Sequence, residues 1–193
     1  MSTLAEASAR LHALPEATVP CFVESLPRPL TVVATRGVLS AQPAAGPNDP
    51  RLLLQSGELV ITVVAQGTAA DLIEFGEWVT PTRTLKGESF LPRDGGLAEL
   101  DPLVRPRRNA VTSLCAICHR GELPSDVVDG GFVSAAFRPD FGTEVPLSTV
   151  RAQYDACVAA HDASSRCELY RALFDPGGVT AGAFAPEVER FLP

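Results

Sequence analysis

The sequence predicts an α+β protein, in which a β-rich part spans residues 1–100 and a mostly helical part spans residues 101–193. Runs of β-branched residues separated by turn-forming stretches occupy the first part and are typical of an antiparallel sheet or sandwich. Apolar residues at three- and four-residue spacing occupy the end of the second part and indicate helices. A chain of 193 residues is long enough to bury a core of this kind.

The strand predictions come from four segments of the first part. Two are strongly β-branched, "LTVVAT" (30–35) and "LVITVVA" (59–65), and two are weaker, "DLIEF" (71–75) and "TLKGESF" (84–90). In the last of these, polar and apolar residues alternate poorly, so this strand has the least support. The stretches between them are rich in residues that favour turns; they cover 42–50, 65–71 and 92–96.

Three segments predict helices. The opening "STLAEASARLHAL" predicts a short helix before Pro15, and "PLSTVRAQYDACVAAH" places apolar residues on one helical face. The segment "SSRCELYRALF" begins with Ser165 and Glu168 in the spacing of a capping box. The segment "GGFVSAAFRPDFGTEVP", which precedes the last two helices, predicts a loop with one short helical turn.

Composition excludes two classes of partner. The formal net charge of −7 is opposite in sign to a phosphate-binding surface, so we expect no nucleic-acid partner. No run approaches the roughly 20 apolar residues of a transmembrane helix. The N-terminal segment also lacks the basic-then-apolar layout of a signal peptide.

The segment "LCAICHR" contains Cys115, Cys118 and His119 in the spacing C-x-x-C-H, which is typical of covalent haem attachment. In these five residues the chain resembles the mono-haem members of the c-type cytochrome family. The resemblance implies one haem c, attached through thioethers to Cys115 and Cys118, with His119 as the proximal iron ligand. It also implies single-electron transfer or binding of a small ligand at the iron, rather than hydrolytic or transferase activity.

The sixth position of the iron is left open by the sequence. Such cytochromes usually supply a methionine, but the only methionine here is Met1. His161 is therefore the candidate distal ligand and His12 the second candidate, and an open position is the alternative. Three phenylalanines near the motif are candidates for the wall of a haem pocket: Phe132, Phe137 and Phe141.

Two other interpretations use the same cysteines. In the first, a structural Cys₃His zinc site holds together a non-enzymatic interaction module, with Cys115, Cys118, Cys157 and His161 as its ligands. In the second, Cys115 and Cys118 form a redox dithiol, although the chain shows no βαβ unit around them. His119 discriminates between the haem and the zinc interpretations, because a haem requires a histidine at that position and the zinc site does not.

The remaining cysteines favour an oxidising compartment. Cys157 and Cys167 lie on consecutive predicted helices, so a disulfide between them would staple the helical hairpin, and Cys21 would stay unpaired. Disulfides and c-type haem both form on the exporting side of a membrane. We therefore expect a periplasmic or extracellular protein with a redox partner protein, whose export signal is not contained in this sequence.

Overall fold

The computed structural model describes residues 1–46, 48–92 and 97–192. It is an α+β protein with a large, mainly antiparallel sheet in its N-terminal and central parts and helices in its C-terminal part. The helices are α1 (Leu4–Ala13), α2 (Val19–Ser25), α3 (Leu147–Ala159) and α4 (Ser165–Phe174). The strands of the large sheet are β1 (Leu30–Thr35), β2 (Arg51–Ser56), β3 (Leu59–Val64), β4 (Leu72–Thr80), β5 (Arg83–Phe90), β6 (Leu123–Pro124), β7 (Phe132–Ala135), β9 (Glu144–Val145) and β10 (Val179–Ala181). Two short strands, β8 (Phe137–Arg138) and β11 (Glu189–Arg190), pair with each other.

The centre of the large sheet is an antiparallel meander. Strands β1 to β5 lie side by side in chain order. On one side, β7 and then β6 continue the sheet beyond β5. On the other side, β10 runs parallel to β1, and β9 pairs with the end of β1 in the antiparallel sense. Segments from beyond residue 100 therefore complete both edges.

One face of the sheet forms the hydrophobic core. Because side chains alternate along a strand, Leu54, Ile61, Phe75 and Leu85 all point to the same face and are buried. Helices α1, α2 and α4 contribute apolar side chains to the same cluster, such as the fully buried Phe22. Each of these large side chains contributes about 1.5–3 kcal/mol by leaving water. This face accounts for most of the apolar burial.

The opposite face is polar near its centre. Alternation places Arg51 of β2, Glu74 of β4 and both Thr84 and Lys86 of β5 on it. Thr84 and Lys86 are nevertheless buried. A sheet face that is both polar and covered needs partners for its charges, so it marks the place to look for a site.

The helix termini follow their capping residues. The Thr3 hydroxyl accepts a hydrogen bond from the Glu6 N–H at the start of α1, and the Thr18 hydroxyl accepts one from Cys21 N–H at the start of α2. At α4 the capping side chain is Ser164, which accepts from Cys167 N–H, rather than Ser165 as the sequence predicts. A disulfide between Cys157 and Cys167 joins α3 to α4.

Several elements differ from the sequence predictions. Strand β2 and helix α2 were not predicted, and β4 extends from the expected segment to Thr80. The segment predicted as a loop before α3 contains β7, β8 and β9, because its backbone pairs with β5, β11 and β1. Of the turn predicted at 92–96, residues 93–96 lie outside the described residues. Among the described residues, no helix has the length and apolarity needed to span a bilayer.

Candidate functional site

The C-x-x-C-H segment covers the polar face of the sheet. Its first residues form a short 3₁₀ helix, Leu114–Ile117, with Ser113 as the N-cap. The carbonyl of Cys115 accepts hydrogen bonds from the N–H groups of Cys118 (3.1 Å) and His119 (2.8 Å). This tight turn brings Cys115, Cys118 and His119 to one side of the segment, where all three line the same cleft.

A single carboxylate fixes the start of this turn. Glu122 accepts hydrogen bonds from the N–H of Ser113 (2.7 Å), the hydroxyl of Ser113 (2.6 Å) and the hydroxyl of Thr112 (3.1 Å). The Ser113 hydroxyl in turn accepts from the N–H of Cys115 (3.0 Å). Hydrogen bonds to an ionised group are the stronger kind, so Glu122 holds the cysteine-bearing turn in place.

His119 is held as a neutral imidazole. Its Nδ1 lies 2.7 Å from the carbonyl oxygen of Ala135, so Nδ1 carries the proton and donates it; two lone pairs would repel at this distance. Its ring stacks on Phe137 with 5.3 Å between the ring centroids. Burial, and then the charge of Lys86, lower the pKa of His119 to about 3. Nε2 has no hydrogen-bond partner among the described residues and keeps its lone pair for a ligand.

Lys86, the only lysine of the chain, lies beneath His119. It is 7% exposed, and its Nζ donates to the carbonyl of Ala135 (3.2 Å) and lies 3.2 Å from Nδ1 of His119. Within the described part of the chain, no carboxylate forms an ion pair with it. Burial lowers the pKa of Lys86 to about 8.

Two ion pairs lie on the same polar face. Arg51 pairs with Glu74 at 2.7 Å, and Arg105 pairs with Glu88. Burial raises the pKa of Glu88, while its contact with Arg105 opposes that shift. These pairs neutralise the charges around Lys86 but do not reach its ammonium group.

The cleft beside the motif has a volume of about 380 Å³. Much of its wall is apolar or aromatic, including Val38, Leu39, Leu114, Phe137, Phe141 and Phe191. Of the three phenylalanines expected to line a pocket, Phe137 and Phe141 do so, whereas Phe132 is buried away from the cleft. Arg36, Arg51 and Arg138 also line it, as do Glu74, Glu88 and Asp140, so its wall combines apolar surface with charges of both signs.

The two cysteines of the motif are free thiols, as is Cys21 of α2. Burial raises the pKa of Cys115 to about 11. A hydrogen bond with the side chain of Ser113 and the positive charge of the nearby Lys86 lower this pKa, but by less than burial raises it. Cys115 therefore stays protonated at neutral pH. A protonated thiol is a poor nucleophile in disulfide exchange, which speaks against the redox-dithiol interpretation.

The other residues predicted for the site lie elsewhere. His161 is exposed just after α3, where it lines a separate pocket with Tyr154 and Asp162. His12 is exposed on α1, and its Nδ1 contacts the carbonyl of Ser8. Cys157 is joined to Cys167, so its sulfur is not free to bind zinc with Cys115 and Cys118.

Sequence reasoning missed the residues beneath the motif. Lys86 and Glu88 fall within a predicted strand, but poor alternation hid the fact that both faces of that strand are covered. Arg51 lies in the unpredicted β2. The signal that could have identified this site was the single lysine of the chain. It lies in a strand segment whose other face carries Leu85 and Gly87.

The resemblance to the c-type cytochrome family is wrong. Within residues 97–113 no helix precedes the motif, and the motif lies on a short turn against a mainly antiparallel sheet. The helical region expected to hold the distal ligand is the disulfide-linked hairpin that the sequence predicts, but its histidine, His161, is exposed away from the cleft. No family model, no curated protein and no solved structure matches this chain.

Proposed function

We propose that the chain binds one haem in the cleft beside the motif, outside the c-type cytochrome family. Cys115 and Cys118 would attach it through thioethers, and Nε2 of His119 would ligate its iron. The bound haem would supply one-electron redox chemistry or a binding position for a small ligand. The observation that carries the proposal is the neutral His119, oriented by the Ala135 carbonyl next to two free cysteines.

The environment of His119 suits iron ligation. Histidines that ligate a metal almost always donate their other ring N–H to a carbonyl or carboxylate, which fixes the tautomer and the ring orientation. His119 does this through Nδ1, and its stacking on Phe137 restricts rotation of the ring. Because His119 stays neutral across the physiological range, it need not lose a proton before it binds iron.

The cleft supports the proposal by size and chemistry. Its 380 Å³ falls within the range of about 300–1,000 Å³ that is usual for small-molecule and cofactor sites. The aromatic wall would contact the porphyrin, and Arg36 and Arg138, which line the same cleft, would pair with its carboxylates. His119 would be the iron ligand on one side; His161 and His12 lie outside the cleft, which favours an open sixth position.

A single zinc ion is a less suitable ligand for this cleft. One ion needs donor atoms that converge, and within the described ranges Cys115, Cys118 and His119 do not form such a group. Haem attachment places the sulfurs and the iron ligand at separate points of one large ring, so it needs no convergence. Cys157, the third thiolate of the zinc interpretation, is taken by the disulfide.

The proposal includes an oxidising compartment and a redox partner. The disulfide between Cys157 and Cys167 is typical of exported proteins. The mouth of the cleft carries exposed apolar side chains at Val38, Leu39 and Phe141. A partner protein that packs on them would lie close to the bound haem. We therefore propose periplasmic or extracellular action with a partner protein that docks at this mouth.

Expression in an exporting host with c-type haem maturation tests the proposal. After an acid–acetone wash, we expect the purified protein to keep a Soret band, because thioether bonds survive extraction. Replacement of both motif cysteines, C115A/C118A, should remove the retained band, and Cys21→Ala is the matched control that should keep it. His119→Ala should keep the attached haem but shift the reduced spectrum. A colourless wild-type protein under these conditions would overturn the proposal.

A further inference from the structure

A second, smaller cavity lies between the polar face of the sheet and the motif. Its volume is about 80 Å³, which suits a molecule of a few heavy atoms. Strands β2, β3, β4 and β5 form its floor, and Phe137 and Phe184 lie on its other side. Cys115 and His119 line both this cavity and the larger cleft, so the two spaces adjoin.

Two residues that line this cavity carry buried polar atoms without hydrogen-bond partners. The hydroxyl of Thr84, a residue 2% exposed, has no hydrogen-bond partner among the described residues. The same holds for Nε of Arg51, although its Nη2 pairs with Glu74. Native proteins rarely leave buried polar groups unpaired, so two on one small cavity indicate a ligand that pairs with them.

The charge of the wall indicates the sign of that ligand. Arg51 and Lys86 are the cations that line the cavity, and Glu74 and Glu88 are the carboxylates. Glu74 is engaged by Arg51, and Glu88 is engaged by Arg105. Lys86 is left as the buried cation with no carboxylate partner in the described ranges, and an anion would supply one.

The rest of the wall indicates the shape of the ligand. Trp78 and Phe184 meet edge to face, with 6.4 Å between ring centroids, and Leu53 and Val60 pack beside them. An inorganic anion would leave this apolar side unfilled. We propose that the cavity binds a small carboxylate with a short apolar tail, whose oxygens pair with Lys86, Thr84 and Nε of Arg51. This site goes beyond the haem proposal and does not depend on it.

Calorimetric titration with acetate tests the inference, with neutral acetamide as the matched ligand. The wild-type protein should bind acetate and bind acetamide at least about tenfold more weakly, since neutral acetamide can accept a hydrogen bond from Lys86 but cannot form an ion pair with it. Lys86→Met should abolish acetate binding. Thr84→Val should weaken it by about three- to tenfold, because one hydrogen bond is lost. Thr82→Val, at the β4–β5 turn outside the cavity, is the control that should leave the affinity unchanged.

Thermal unfolding distinguishes a lost site from a damaged fold. Because Thr84→Val removes an unpaired buried hydroxyl, the variant should unfold without ligand at the same temperature as the wild type or higher. Equal binding of acetate and acetamide, or unchanged acetate affinity in Thr84→Val, would overturn the inference and leave a cavity that holds water only. The titration is made on the protein as purified, with or without colour, so failure of the haem proposal and failure of this one are separate results.

Discussion

His119 links the candidate site to the pH dependence of folding. Its pKa is about 3 in the folded protein, against 6.5 for an ordinary histidine. Between these values the unfolded chain binds a proton that the folded chain does not, so stability falls as the pH drops below 6.5. In protein produced without haem, we expect protonation of this residue in the unfolded chain to lower the free energy of unfolding by about 2.5 kcal/mol between pH 7 and pH 4.5.

The variant His119→Asn tests that expectation by urea unfolding at both pH values. Asparagine keeps an N–H near the Ala135 carbonyl but cannot be protonated in this range. The loss of stability on acidification should therefore be smaller in His119→Asn than in the wild type. The control is His161→Asn, at an exposed histidine outside the cleft, which should lose as much stability on acidification as the wild type does. Equal acid sensitivity in all three proteins would contradict the pKa assigned to His119.

Lys86 shows why residue patterns predicted the site only in part. The C-x-x-C-H spacing identified three residues of the cleft because that chemistry depends on neighbours in sequence. Lys86, Arg51 and Glu74 come from three different strands and meet only through the register of the sheet. No local spacing encodes such a meeting, so the polar floor of the site could not be predicted.

The 3₁₀ turn that carries the cysteines depends on one side chain outside it. Replacing Glu122 by Ala removes three hydrogen bonds to a carboxylate, so we expect a loss of about 2–3 kcal/mol in the free energy of unfolding. Urea unfolding measures it, and Glu16→Ala at an exposed position is the matched control, expected within about 0.5 kcal/mol of the wild type. If Glu122→Ala were equally stable, the turn would be held by other contacts.

The α3–α4 hairpin depends on its disulfide. The bond spans a sequence separation of 10 residues, and closing a loop of that size stabilises a protein by roughly 2–4 kcal/mol. A reducing agent should therefore lower the melting temperature of the wild type. The double variant C157A/C167A should melt at a lower temperature than the oxidised wild type and should not respond to the reductant. A wild type that is insensitive to reductant would show that the hairpin is held by packing alone.

At the level of elements, strands encoded by a local pattern could be predicted, whereas strands that depend on long-range pairing could not. Strands β1 and β3 are rich in β-branched residues, and their observed bounds are nearly those predicted from the sequence. Strand β2, "RLLLQS", is rich in leucine, which is common in helices, and becomes a strand because it pairs with both neighbours. The short strands β7 and β9 likewise owe their conformation to partners far away in the sequence.

At the level of the whole molecule, the sheet separates two roles by its two faces. One face and the helices form the apolar core, whereas the other face carries the charges, the motif and both cavities. Substitutions such as Thr84→Val can therefore change binding while the core stays intact. The α+β class was predicted from the sequence, but the covering of both faces was not, because it depends on segments after residue 100 folding back over the sheet.

The pairing of β1 also bears on how the chain behaves while it is being made. Strands β1 to β5 can pair in the order of synthesis, but the outer edge of β1 stays open until Val145 and Val179 become available. An open edge recruits strands from other molecules, and contacts so distant in sequence form slowly. A nascent or shortened chain that ends before β10 would thus carry an intact motif and still aggregate, so the pairing of β10 with β1 protects the chain while it is being synthesised.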